Sequence, residues 1–195
     1  MDLRFLLRLR QDQRELSQLV YFCYLDEEGN SMTRALFKLV LVALFLALAG
    51  CGHSQKNAAS YQEGVEAYAK GDFAAALEKF KPLAEDGNMQ AQFSLGVMYR
   101  QGQGVAADDK EAVAWWTKAA EQGHVEAQDN LGLRYARGQG VAQDWVQADK
   151  WFTIAAASGN ETALKNKKVV EVHMPPPKVV EANALAQDWL AKHKK

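Results

Sequence analysis

The segment Ala91 to Gly123 returns 36 residues later as Ala127 to Gly159. Leu95, Gly96, Tyr99, Gly102, Gly104, Val105, Asp108, Ala112, Trp115, Ala119, Ala120 and Gly123 recur as Leu131, Gly132, Tyr135, Gly138, Gly140, Val141, Asp144, Ala148, Trp151, Ala155, Ala156 and Gly159. A fixed period of this size marks a stacked repeat, in which each unit buries its apolar face only against its neighbours.

Each unit reads as two antiparallel helices. The first, Met89 to about Gln101, gathers Phe93, Leu95, Gly96 and Tyr99 on one stripe at spacings of three and four. A mid-helix glycine costs about 1 kcal/mol relative to alanine, so Gly96 and Gly132 imply a helix contact too close for a side chain. The glycine-rich turn Gln101 to Val105 ends the first helix. Asp108 is placed to cap a second, Asp109 to Glu121, whose inner face alternates the large Trp115 and Trp116 with small Ala112, Ala119 and Ala120.

The run L-G-x-x-Y-x-x-G-x-G-V-x-x-D, followed by A-x-x-W and A-A-E-Q-G-H, resembles the Sel1-like repeat family, a relative of the tetratricopeptide repeats. The period of 36 separates it from the 34-residue tetratricopeptide unit. The resemblance covers residues 91–124 and 125–160. It implies an all-α fold, an α-solenoid of about three helix-turn-helix repeats with a C-terminal capping helix. It also implies a module that binds proteins or peptides and shares no catalytic centre.

The flanks are read around this core. Residues 60–90 form an atypical first repeat: Ala76, Phe80, Ala84 and Gly87 keep the offset of 36, whereas Gly64 answers Gly96 at 32, so four residues are missing from the turn at Gly71-Asp72. In residues 161–195, Glu161 to His173 continues as a helix that Met174 to Pro177 must end. Lys178 to Lys192 then carries an amphipathic stripe, with Trp189 expected to plug the last apolar face.

Residues 32–50 hold two cations, twelve residues from Leu39 to Gly50 that are all apolar or glycine, and the ending Leu48-Ala49-Gly50-Cys51. That is the order of a secretory signal, and its end resembles a bacterial lipobox, which implies a diacylated Cys51. Twelve to sixteen apolar residues rise about 18–24 Å as a helix, short of the roughly 30 Å hydrocarbon core. Residues 1–31 then read most simply as an over-extended gene start. Residues 51–59 read as the lipidated cysteine and a polar tether, reaching roughly 25 Å at about 3.3 Å per residue. The expected place is the bacterial cell envelope. By analogy with lipoprotein sorting, Gly52 in place of aspartate favours the outer membrane, facing the periplasm.

Composition argues against nucleic acid: 23 basic and 24 acidic residues are interspersed, with no basic stripe interleaved with aromatics. No cofactor, metal or catalytic residue is expected. Gly102-Gln103-Gly104 follows a helix and lacks a third glycine, and His124 reads as a turn residue. His53, His173 and His193 have no metal-type partner in sequence. Ser94 and Ser158 have no base at a readable spacing. Trp115, Trp116 and Trp151 read as core.

Helix phase puts Phe93, Ser94, Val97, Arg100 and Gln101 on the concave side, joined by Asp129, Asn130, Leu133 and Arg137, and by Tyr61, Val65 and Tyr68 from the first repeat. The function expected is an envelope-anchored lipoprotein scaffold, not an enzyme, with a protein or peptide partner in this groove and the membrane as second partner. The alternative is a hydrolase of peptidoglycan or β-lactam substrates, as in cysteine-rich relatives. Those carry a cysteine pair in each repeat, and the repeats here have none.

Overall fold

The computed structural model describes residues 57–193. The signal, Cys51, the gene-start reading of residues 1–31 and most of the tether lie outside them. Eight helices and no strands occur among the described residues. They are α1 (57–69), α2 (Phe73–Glu85), α3 (Met89–Gln101), α4 (Asp109–Glu121), α5 (Val125–Arg137), α6 (Trp145–Ala157), α7 (Glu161–Glu171) and α8 (Pro176–Lys192). Residues 57–59, read above as tether, are already helical.

Side-chain caps place the helix starts. Asp108 Oδ1 accepts from the backbone N–H groups of Lys110 and Glu111 at 2.8 and 3.1 Å, and Asp144 repeats this on Val146 and Gln147 at 2.9 and 3.0 Å. Asn88, His124 and Asn160, each 36 residues from the next, cap α3, α5 and α7.

Each helix pair closes on an aromatic ring. A Cβ at Gly64 would lie 2.6 Å from the Phe80 ring and one at Gly132 2.6 Å from the Phe152 ring, while Gly96 faces the Trp116 ring in the same way. Phe80, Trp116 and Phe152 are essentially inaccessible. Trp116 Nε1 also donates to the Phe93 carbonyl at 3.2 Å, which satisfies its one polar atom against the neighbouring helix.

The turn glycines join one repeat to the previous one. Gly104 (φ +73°) lies where a Cβ would be 2.6 Å from the Phe73 carbonyl oxygen at the start of α2. Gly140 (φ +72°) meets the Asp109 carbonyl at the start of α4 in the same way. Both the left-handed backbone and the contact require glycine.

Buried glutamines link successive units as well. Gln92 Nε2 donates to the Ala84 carbonyl at 3.0 Å and Gln128 Nε2 to the Ala120 carbonyl at 3.1 Å, each filling an acceptor at the end of the preceding helix. Gln122 then donates to Gln92 Oε1 at 2.7 Å. The place of Gln122 is taken in the next repeat by Ser158, which is too short, and Gln128 Oε1 is buried without a partner. We expect Ser158→Gln to raise stability by about 0.5–1.5 kcal/mol by supplying that bond. Urea unfolding checks this; a midpoint no higher than that of Ser158→Ala would mean the acceptor is satisfied otherwise.

Two interior positions change from apolar to charged. Arg134 stands where the preceding repeat has Met98, and Asp149 where it has Val113. Asp149 is fully buried and holds Lys167 Nζ at 3.1 Å, and Lys167 also reaches Glu171 at 2.7 Å and Asn183 at 3.1 Å. Burial pushes the Asp149 carboxyl above the ordinary carboxylate range, with the Lys167 ammonium opposing. These bonds tie α6, α7 and α8 together.

The C-terminal reading needs three corrections. Helix α7 stops at Glu171, two residues early. Pro176 and Pro177 begin α8 instead of separating two helices, because the first turn needs no backbone donor. Helix α8 packs on α6: the Trp189 ring meets Trp151 edge-on at 6.2 Å, and its Nε1 donates to Glu121 at 2.7 Å. It does not plug the last face, since Leu164 and Val169 of α7 and Val172 just past its end remain 45%, 61% and 82% exposed.

Candidate functional site

The first helices of the first two repeats, α1 and α3, leave a cavity between them. Val65 and Tyr68 of α1, Phe93, Ser94 and Val97 of α3, and Phe80 of α2 enclose about 150 Å³. The walls are almost wholly apolar. Tyr61 borders the cavity, its hydroxyl 3.4 Å from Ser94 Oγ and its ring 5.4 Å from that of Phe80. The Tyr68 hydroxyl donates its proton to Gln103 Oε1 at 2.6 Å and lies 3.3 Å from Gln101 Oε1, which holds its ring as one wall. An apolar cavity with a few polar groups at its rim suits a single aliphatic side chain of a ligand.

The helix-phase residues thus divide. Tyr61, Val65, Tyr68, Phe93, Ser94 and Val97 are brought together. Arg100 and Arg137 are exposed in the last turns of α3 and α5 and lie outside the cavity. Leu133 packs partly into the core cluster around Phe152. Asp129, at the place of Phe93, accepts from Asn166 of α7 at 3.0 Å. Burial pushes its carboxyl up, against that bond. Asn130, at the place of Ser94, is half-buried beside it in sequence. Along the first helices of successive repeats these residues therefore run from an apolar pocket to a polar stretch.

Sequence reasoning missed Phe80, the pocket floor, and Arg134. The signal for Phe80 was available in the mid-helix Gly64, since each such glycine faces the next buried aromatic ring. For Arg134 the signal was the charge at a position that holds methionine one period earlier.

His124 is the turn residue expected, and it also supports the pocket. Its Nδ1 accepts from the Ala127 backbone N–H at 3.3 Å, capping α5, and its ring stacks on Phe93 at 4.4 Å. Burial pulls its pKa below the ordinary histidine value, with Glu126 opposing. A protonated Nδ1 cannot accept, and would turn to Glu126 Oε2, 3.2 Å away. With a folded pKa below the unfolded one, the contribution is fully present above about pH 6.5 and is lost as pH falls through the folded value. We expect the melting temperature to fall from pH 7.5 to pH 5 more in the wild type than in His124→Asn, which carries the cap that Asn88 and Asn160 use. Parallel pH profiles would rule out His124 as the source.

Among the described residues no cluster of three or more His, Cys, Asp or Glu forms that could hold a metal ion, and no helix is long and apolar enough to cross a membrane.

Comparison with known proteins gives consistent matches. The Sel1 repeat model matches residues 90–124 and 125–160. The chain is similar to the crystal structure of a protective antigen present in uropathogenic Escherichia coli strains that displays an SLR (Sel1-like repeat) fold. Identity there is 33%, the TM-score 0.67, and the match covers 70% of this chain and 30% of that one. It is also similar to a Sel1 repeat protein from Oxalobacter formigenes, at 28% identity and a TM-score of 0.55, covering 66% of this chain and 55% of that one. The chain thus spans about a third to a half of the solved proteins it matches. No curated protein matches it.

Proposed function

We propose that this chain, which carries two Sel1 repeats over residues 90–124 and 125–160, is a protein-interaction scaffold whose concave side takes an extended peptide segment of a partner. The observation that carries this reading is the cavity between α1 and α3, apolar inside and rimmed by Tyr61, Ser94 and the glutamines that hold Tyr68. Solenoids use such concave surfaces because successive repeats present the same helix face at a constant step. A buried apolar side chain at its centre supplies most of the affinity of a small interface, with the polar rim setting orientation.

The same reading holds the scaffold at the cell envelope through Cys51. It is supported by the apolar run Leu39 to Gly50 and the ending Leu48-Ala49-Gly50-Cys51. Several acyl chains anchor durably where one gives only marginal binding. We expect the wild type to partition into detergent and Cys51→Ser into the aqueous phase; mass spectrometry showing an unmodified Cys51 in the mature protein would contradict the anchor.

The groove is tested by affinity capture from envelope extract with the wild type and Val97→Glu, whose carboxylate would enter the apolar cavity. The expected outcome is loss of the specific partner with an unchanged helical circular dichroism spectrum. Retention of the same partner at the same yield would remove the cavity as the site.

A further inference from the structure

We infer that the edge of the concave side where α3 and α5 end is an anion site, built from Arg100, Arg134 and Arg137, which takes a carboxylate of an acidic peptide. This rests on the groove reading above and gives it a ligand class.

The repeat itself exposes the anomaly. The first helices keep an offset of 32 between Gly64 and Gly96 and of 36 between Gly96 and Gly132. Arg100 therefore occupies the place of Tyr68, and Arg137 the place of Gln101. In the first interval these two places are both neutral, the Tyr68 hydroxyl lying 3.3 Å from Gln101 Oε1. In the second interval both carry guanidiniums. Like charges brought to neighbouring positions repel, and an anion between them removes the repulsion.

Arg134 adds a third cation one helical turn before Arg137. It is only 4% exposed and replaces the fully buried Met98. Its Nε has no partner, and the nearest carboxylate, Asp109 Oδ1, stands 3.8 Å from Nη1, beyond hydrogen-bond reach. Its guanidinium lies 5.9 Å from the centre of the Trp116 ring. Burial pulls its pKa below the ordinary arginine value, Asp109 opposes, and Arg100 and Arg137 add to the pull. A desolvated cation with a free N–H and two cationic neighbours is costly by itself. An incoming carboxylate would offset that cost by charge-assisted bonds, to which the planar guanidinium is well matched.

The geometry also fixes the spacing of the ligand. Adjacent helices lie about 10 Å apart, and the arginines belong to the interval next to the apolar cavity. An extended peptide covers about 3.3 Å per residue. An aliphatic residue in the cavity therefore places an acidic one about three or four residues away on the arginines.

The test uses two fluorescein-labelled peptides with the full chain at low salt. One carries a leucine followed, three and four residues on, by glutamates; the other has glutamines there. The wild type should bind the glutamate peptide at least tenfold more tightly. Arg100→Gln with Arg137→Gln should abolish that preference, and Arg134→Met, which restores the methionine of the preceding repeat, should reduce it. Removing two exposed cations of α7, Lys165→Gln with Lys168→Gln, should leave it unchanged. Absence of the preference in the wild type, its survival in the double arginine variant, or an equal loss in the lysine control overturns the site. Citrate competing at matched ionic strength as well as the glutamate peptide overturns the assignment to a peptide. Val97→Glu separates the two readings. If it weakens both peptides while the arginine substitutions change nothing, the groove stands and the anion site fails. If it changes neither while the glutamate preference persists, the anion site stands alone.

Discussion

Gly140→Ala is expected to lower stability by about 2–5 kcal/mol, a large share of what a domain of this size has. Two causes combine. The backbone at Gly140 has φ +72°, and a left-handed residue with a Cβ costs roughly 1–2 kcal/mol. The added carbon would also strike the Asp109 carbonyl and lie 2.9 Å from the Lys110 amide. Neither can swing aside, because both belong to the first turn of α4, where Asp108 caps the Lys110 N–H at 2.8 Å. Overpacking against fixed atoms adds about 1–3 kcal/mol. Gly159 provides the comparison: its φ is +89° but a Cβ there would meet nothing within 4 Å. Gly159→Ala should therefore cost only about 1–2 kcal/mol. Equal losses for the two, measured by urea unfolding, would show that Gly140 is needed for its turn alone and that the repeats do not touch there.

Gly132→Val should cost about 1–3 kcal/mol by overpacking, even though valine forms helix slightly better than glycine. The Cβ would sit 2.6 Å from Phe152, whose ring is fully enclosed and has no alternative site. Combining Gly132→Val with Phe152→Leu should recover part of the loss, since each substitution relieves the other. A neutral or raised melting temperature for Gly132→Val alone would mean that α5 and α6 are farther apart than described. The same substitution at Gly96 carries a further cost, because displacing Trp116 strains its 3.2 Å bond to the Phe93 carbonyl.

Helix positions were legible because their punctuation repeats. Asp108 and Asp144 cap, the turn glycines recur, and the observed α3 and α4 run over the residues that periodicity assigns. Gly96 and Gly132 announced a close helix contact without saying against what. The partner ring lies twenty residues on in the regular repeats, sixteen in the shortened first one, as Trp116, Phe152 and Phe80. Gly140 looked like part of a turn, since its contact with Asp109 joins a loop to the first turn of a helix in the preceding repeat and no local pattern encodes it. The amphipathic stripe of α8 announced a partner but not which helix; its contacts with Trp151 and Glu121 decide that.

The residues that helix phase assigned to the groove were legible where apolar and less so where polar. Tyr61, Phe93 and Val97 follow helix phase into one cavity border. Asp129 also follows it, but its carboxylate is engaged by Asn166 of a helix outside the two matched repeats. Arg134 escaped notice because a charge at an interior position contradicts the pattern from which interiors are read. Such departures from a repeat mark the places where stacking alone does not explain the residue.

The most direct test of the account is photocrosslinking from the cavity. A benzophenone side chain at Val97, compared with one at the exposed Ala114 on α4, should give a discrete partner adduct from Val97 alone when the full chain is irradiated in the cells that produce it. Adducts from Ala114 with none from Val97 would place the interaction on another face and contradict the claim that the concave side is the binding surface.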